Sequence, residues 1–220
     1  MLEIDLFRDL PEPELRRLVA IGKRRRFARG EVVFHRGDPA DTLHLIVQGR
    51  FIARVETSVG DTVTVSVHGP GEAFGELALL EAEQLRAATV SAVEAGETYS
   101  VHRDDFTRLR TDYPTVNEVL VRLLAARVRR MSDLYVEALF TGAETRVLRR
   151  LHELAALYGH GAAGTVVPLS QQEIAGLAAT SRATVNRVLR AEAGRGTVSL
   201  NRGQTTIVDP AALARRAGLP

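Results

Sequence analysis

At 220 residues, with 45% apolar and 25% charged positions, the chain can form one large domain or two small ones, and no apolar run approaches the roughly 18 residues of a membrane span. Zero cysteines exclude disulfides, thiolate zinc sites and cysteine-ligated iron–sulfur clusters. The net charge of +2 conceals an asymmetry: residues 1–112 carry 15 Lys+Arg against 19 Asp+Glu, residues 113–142 carry 4 against 3, and residues 143–220 carry 10 against 5, a basic end suited to a polyanion.

The first residues, Met1-Leu2-Glu3-Ile4-Asp5, lack signal-peptide character, so the expected compartment is the cytoplasm. Leu6, Phe7, Leu10, Leu15, Leu18 and Val19 fall at near-helical spacing, broken by Pro11 and Pro13, and predict one or two short helices. Lys23-Arg24-Arg25-Arg26 is a charge run that reads either as a solvated face or as a contact for phosphate or a partner. From Phe27 to His102 glycines punctuate short runs such as Val32-Val33-Phe34, Leu45-Ile46-Val47 and Phe51-Ile52-Ala53. Val63, Val65 and Val67 alternate with Thr62, Thr64, Ser66 and His68, as in a half-buried antiparallel strand. Many short strands at this spacing predict a β-sandwich or jelly roll.

One segment interrupts these strands with a helical turn: Phe74-Gly75-Glu76-Leu77-Ala78-Leu79-Leu80, a polar turn, then Arg86-Ala87-Ala88-Thr89. Gly75 permits close backbone approach, and the N–H groups after it favour an anion. Arg86 adds a fork of charged donors suited to phosphate. Glu76 is acceptor-only, so beside a phosphate it must take hydrogen bonds from hydroxyls, as on a ribose. The three side by side ask for a small ligand bearing phosphate and sugar hydroxyl together.

Asp112-Tyr113-Pro114 predicts a helix start, with Asp112 as cap and Pro114 in the first turn, continuing to about Leu139. Leu120, Leu124, Arg127, Met131, Leu134 and Ala138 recur at spacings of 4, 3, 4, 3 and 4, a coiled-coil seam. Arg127 on that seam costs stability unless something pairs with it. Thr141-Gly142-Ala143-Glu144 has capping-box spacing ahead of a helix through Val147, Leu148, Leu151, Leu154, Ala155 and Tyr158, and Gly159–Gly164 reads as a loop. Ser170-Gln171-Gln172-Glu173 repeats the capping box and opens a helix Gln171–Ala178. A turn at Ala179-Thr180 leads to a second helix from Ser181 to Arg190. Ile174, Leu177, Val185, Val188 and Leu189 join the pair, with Arg182, Thr184, Asn186 and Arg187 outward. Val198–Val208, with a turn at Asn201–Gly203, reads as a two-stranded wing.

Phe74–Leu80 with Arg86–Thr89 resembles the phosphate-binding cassette of cyclic-nucleotide-binding domains, and Leu169–Arg190 resembles the DNA-binding end of the catabolite activator protein/Fnr family of bacterial transcription regulators. The resemblance covers nearly the whole chain. It implies an α+β protein with a β jelly-roll effector domain (1–112), a long dimerisation helix (113–140) and a winged helix-turn-helix domain (141–220). By the same resemblance, Gly75, Glu76, Leu77, Ala78, Arg86, Ala87, Arg127 and Ser132 would bind the effector, cyclic AMP. Arg182 and Arg187 would read base edges, while Ser170, Gln171, Gln172, Ser181, Thr184 and Asn186 complete the DNA interface. A homodimer on a palindromic operator of double-stranded DNA is implied, with RNA polymerase as a further partner and no membrane role. An alternative is a family member that binds DNA without nucleotide or responds to another effector. Three positions depart from the family pattern. Met131 stands where cyclic-AMP responders carry a base-reading hydroxyl, Ala179 where the turn usually has glycine, and Ala183 where a glutamate usually follows the first arginine. The six histidines show no ligand spacing, and no nucleophile elbow, Walker loop or triad is present, so neither metal, haem nor catalysis is expected.

Overall fold

The computed structural model describes residues 12–57, 62–80 and 85–219. The expected helical positions Leu6, Phe7 and Leu10 lie outside them. The chain divides into two compact units, residues 1–62 with 66–130 and residues 63–65 with 131–220.

The first unit opens with α1 (Glu12–Ile21) and continues through eight strands: β1 (Lys23–Phe27), β2 (Val32–Phe34), β3 (Thr42–Gln48), β4 (Phe51–Glu56), β5 (Thr62–His68), β6 (Ala73–Phe74), β7 (Thr89–Ala92) and β8 (Gly96–His102). They form two four-stranded sheets, ordered β1-β8-β3-β6 and β2-β7-β4-β5. A 3-10 turn at Glu76–Leu79 is the helical interruption expected after β6. Phe27, Ile46, Phe51, Ala53, Phe74, Val90 and Ala92, drawn from both sheets, make one buried cluster. Leu18, Leu43, Leu45, Ala73, Val101, Phe106, Leu109, Val116, Val119 and Leu120 make the other, beneath the helices. Each buried Leu, Ile, Val or Phe contributes about 1.5–3 kcal/mol, which is what lets such short strands persist.

Three expectations change here. The alternation of β5 is present, but its apolar members are not the buried set: His68 is buried while Val65 is 46% exposed. A helix, α2 (Arg103–Asp112), occupies residues expected to precede one; the His102 ring accepts from Asp104 N at 3.2 Å, and Asp112 ends α2 rather than capping its successor. The break falls at Tyr113, whose extended backbone (φ −133°, ψ 90°) is what the following Pro114 imposes. The long helix α3 (Thr115–Phe140) then runs 26 residues. The 4-3 seam does not stay on one free face. Leu120 is buried in the protein's own core, Leu124 packs against it, and Arg127 turns to the cassette. The exposed apolar stripe is instead Val121, Val128, Met131, Tyr135 and Leu139, joined by Val136 and Phe140.

In the second unit α4 (Ala143–Gly159) starts from Gly142, with no side-chain cap. The capping box expected at Thr141 is not formed, because Glu144 pairs with Arg216 at 3.3 Å and the Thr141 carbonyl accepts from Arg146. Then come β9 (Thr165–Val167), α5 (Gln171–Leu177), α6 (Arg182–Gly194), β10 (Val198–Asn201), β11 (Gln204–Ile207) and α7 (Pro210–Arg216). The wing has a third strand, β9, on the far side of β11. β9 is three residues long, too short to show a period. Val147, Leu148, Leu151, Val167, Ile174, Val185, Val188, Leu189, Ile207 and Leu213 are buried as the common core.

Candidate effector site and nucleic-acid interface

The cassette is positioned by β3. Its His44 and Leu45 pair with Phe74 and Ala73 of β6, which brings Gly75 against Thr42 at the start of β3. Gly75 has φ 82° and ψ 17°, a left-handed conformation in which any side chain is strained. A Cβ there would also lie 2.8 Å from Arg86 Nη1 and 2.9 Å from the Thr42 carbonyl. Only glycine therefore lets the start of the 3-10 turn sit this close to the guanidinium.

Arg86 is anchored by its backbone. Its N–H donates to the Asp38 carbonyl at 2.9 Å, and its own carbonyl accepts from Gly37 N at 2.9 Å. Its side chain is 6% exposed, lies 4.0 Å over the Phe34 ring, and donates to the Thr42 carbonyl at 2.7 Å and the Thr42 hydroxyl at 2.6 Å. Burial lowers its pKa, opposed by Asp41, Asp38 and Glu76. Its Nε is buried with no hydrogen-bond partner among the described residues. A buried charged N–H left unpaired is costly, and a phosphate oxygen is the acceptor that would satisfy it.

Glu76 is 7% exposed and faces Arg127, whose Nε lies 3.1 Å from Oε1. Arg127 Nη2 donates to the Ala73 carbonyl at 2.7 Å. The seam arginine thus has its partner, and two predicted ligand contacts meet directly. Leu77 and Ala87 are exposed on either side of Gly75 and Arg86, and Ala78 lies in the turn between. Ser132 is exposed on α3. Behind the cassette, His44 stacks on Phe74 at 5.0 Å and 5°, with Nδ1 3.0 Å from the Thr98 hydroxyl. Burial, then the charge of Arg86, push its pKa down to about 3, so it is a neutral wall of the site. Neither Thr42 nor His44 was singled out from sequence, since nothing local marks a strand residue as the arginine's partner.

The helix-turn-helix takes the expected form. Ser170 caps α5 in a complete capping box with Glu173, and Ser181 caps α6 by accepting from Thr184 N at 3.1 Å. Ala179 between them has φ 48°, the left-handed conformation for which glycine is the usual solution. Arg146 stitches the junction, donating to the Ala178 and Ala179 carbonyls at 2.9 Å each. Of the predicted DNA contacts, Gln172, Ser181, Arg182 and Arg187 are exposed. Arg187 Nη1 lies 3.8 Å from Glu144. Asn186 is otherwise engaged: its Nδ2 donates to Gln171 Oε1 at 3.0 Å, tying α6 to α5. Thr184 Oγ1 lies 3.0 Å from the Ser181 hydroxyl.

A glycine-arginine cassette on a β roll, followed by a winged helix-turn-helix, defines an effector-binding, DNA-binding transcription regulator. Residues 24–113 match the cyclic nucleotide-binding domain and residues 145–216 the Crp-like helix-turn-helix domain. The "CRP-like cAMP-activated global transcriptional regulator" of Mycobacterium tuberculosis is 34% identical over 194 residues, spanning 87% of this chain and 86% of that protein. The catabolite activator protein of Thermus thermophilus is 34% identical with a TM-score of 0.56, covering 98% of this chain and 99% of its own. The global regulator CLP of Xanthomonas campestris shares the fold at a TM-score of 0.76 and 23% identity, over 90% of this chain and 99% of its own. The chain belongs to the Crp/Fnr family of transcription regulators.

Proposed function

We propose that the chain is a homodimeric transcription regulator whose DNA binding is gated by cyclic AMP in the cassette of the first unit. The observation that carries the reading is the pairing of left-handed Gly75 with the buried, incompletely satisfied Arg86. The phosphate is taken by Arg86 and the N–H groups of Glu76, Leu77 and Ala78, and a ribose hydroxyl donates to Glu76. That hydroxyl competes with Arg127 for the carboxylate, so occupancy of the cassette changes what α3 is tied to. The Mycobacterium tuberculosis relative, named a cAMP-activated regulator, supports cyclic AMP as the effector.

The division of labour is an effector domain (1–112), a dimerisation helix (113–140) with Ser132 contributing to the effector contact, and a DNA-binding domain (141–220). Two copies joined along the exposed stripe of α3 present their α6 helices to successive major-groove half-sites about 34–36 Å apart, a spacing the general rule draws partly from this family. Arg182 and Arg187 read base edges, with Gln172 on the phosphates beside them. RNA polymerase is the partner through which the bound dimer acts, in the cytoplasm.

The test is calorimetric titration of cyclic AMP into nucleotide-stripped protein, beside Arg86→Ala. Micromolar binding, weakened about ten- to hundredfold by loss of one charge-assisted contact worth about 1.5–3 kcal/mol, is expected. No heat from a folded dimer would overturn the effector assignment.

A further inference from the structure

The second unit carries a row of alternating charge that ends on the expected recognition helix. It begins at Glu192 of α6, which is fully buried. Arg195 Nη1 and Arg216 Nε both donate to its Oε1, at 3.1 and 2.7 Å, while Oε2 has no hydrogen-bond partner among the described residues. Arg216, on α7, donates from its Nη2 to Oε1 of Glu144 at 3.3 Å. Glu144 lies in the first turn of α4, and its Oε2 is 3.8 Å from Nη1 of Arg187 on α6. The last member of the row is one of the two arginines expected to read base edges.

The links differ in strength. A buried carboxylate already short of donors cannot give up Arg216 cheaply, so that guanidinium is fixed at its Glu192 end. Glu144 is fixed in turn by Arg216 and by the N-terminus of its own helix, where a carboxylate is favoured. The link from Glu144 to Arg187 is of another kind. The two side chains are 46% and 68% exposed, and such a pair adds little to stability. Its consequence is for the position of Arg187. A long arginine side chain free in water samples many rotamers, and any contact it makes must offset their loss. At 3.8 Å the carboxylate lies beyond hydrogen-bond reach, so it attracts the guanidinium without consuming a donor. A carboxylate that took the fork in bidentate fashion would compete with DNA. This one restrains the arginine and leaves the fork for a guanine edge.

We propose that Glu144, held through Arg216 to Glu192, is a positioning residue that presents Arg187 for base readout and sharpens discrimination at the base pair Arg187 contacts. The inference rests on the reading of the second unit as the DNA-binding part and of Arg187 as a base contact. Glu144 itself touches no base and acts only through the arginine.

The test begins with the full-length wild type, with and without cyclic AMP, selecting a double-stranded operator from a random library. Every single-base-pair variant of that operator is then titrated against wild type, Arg187→Ala, Glu144→Gln and Arg216→Lys, with melting temperatures recorded to verify folding. Arg187→Ala is expected to flatten the preference at one base pair per half-site by about tenfold or more. Glu144→Gln, of the same shape without the charge, should flatten that same base pair by about two- to fivefold and leave the preference at the others as it was. Arg216→Lys offers one nitrogen where the guanidinium bridged two carboxylates, so it should satisfy Glu192, release Glu144 and reproduce the selective loss. Should Glu144→Gln leave the preference at that base pair unchanged, raise it, or lower the preference at every base pair alike, the inference is overturned with Arg187 readout intact. If Arg187→Ala spares every base pair, or the wild type selects no sequence, the DNA-reading assignment falls and this inference with it.

Discussion

Arg86 and Arg127 show how one residue type acquires different duties from its surroundings. Nε of each is buried without a hydrogen-bond partner among the described residues, but Arg86 lies against Phe34 and Thr42, whereas Arg127 lies beside the Glu76 carboxylate and donates to the Ala73 carbonyl. The chemistry asked of Gly75, Glu76 and Arg86 was legible in the sequence because it depends on residue type and short spacing. The pairing of Glu76 with Arg127 was not, since it depends on where α3 crosses the cassette. The residues expected to face DNA divide in the same way. Arg182 is exposed at the start of α6, while Asn186 spends its amide on Gln171. Arg182→Ala is therefore expected to remove about 1–3 kcal/mol of sequence discrimination in a gel shift on the operator, with the dimer intact. Asn186→Ala should instead lower the melting temperature, by the roughly 1 kcal/mol of a lost half-buried hydrogen bond, and leave base preference largely as it was. The reverse pattern would exchange their roles.

Among the elements, the helices with strong local punctuation were predictable, and the misreadings share a cause. Ser170 caps as expected, and Ser181, expected as the first residue of its helix, caps it instead, because a cap is satisfied within three residues. Thr141 has the same spacing but does not cap, because Glu144 pairs with Arg216 on α7, an element far along the chain. The seam on α3 had the right period but led to two faces, since tertiary packing takes Leu120 and Leu124 into the local core. On β5 the alternation was correct and its buried face was not. The turn at Ala179 is where sequence alone posed a physical question that the backbone answers: φ is 48° on a residue with a Cβ. Ala179→Gly is expected to stabilise the DNA-binding unit by about 0.5–1 kcal/mol, the relief of left-handed strain less the added chain entropy of glycine. Denaturant melting would show a raised midpoint at constant slope, and a fall would mean that the strain is not borne there.

For the whole molecule, the exposed stripe of α3 is what two copies would share. Met131 is 69% exposed and Tyr135 67%, a degree of aqueous exposure that a folded protein rarely gives a row of large apolar side chains without covering it. A Met131→Glu/Tyr135→Glu protein is expected to elute as a monomer in light-scattering chromatography and to lose tight binding to a two-half-site operator. Retention of the dimer would place the interface elsewhere. The sequence by itself determined the order of the parts, their secondary structure in outline, the glycine-led turn after β6, the helix-turn-helix and the charge that separates an acidic body from a basic end. Each of these rests on dihedral preference, spacing or composition, which neighbouring residues carry between them. Only the tertiary structure decided which face of α3 and of β5 is buried, that Arg127 answers Glu76, that Thr42 and His44 back the arginine, and that Asn186 is a strut. Those are pairings between residues distant along the chain, and they exist only after packing has selected one face of each element.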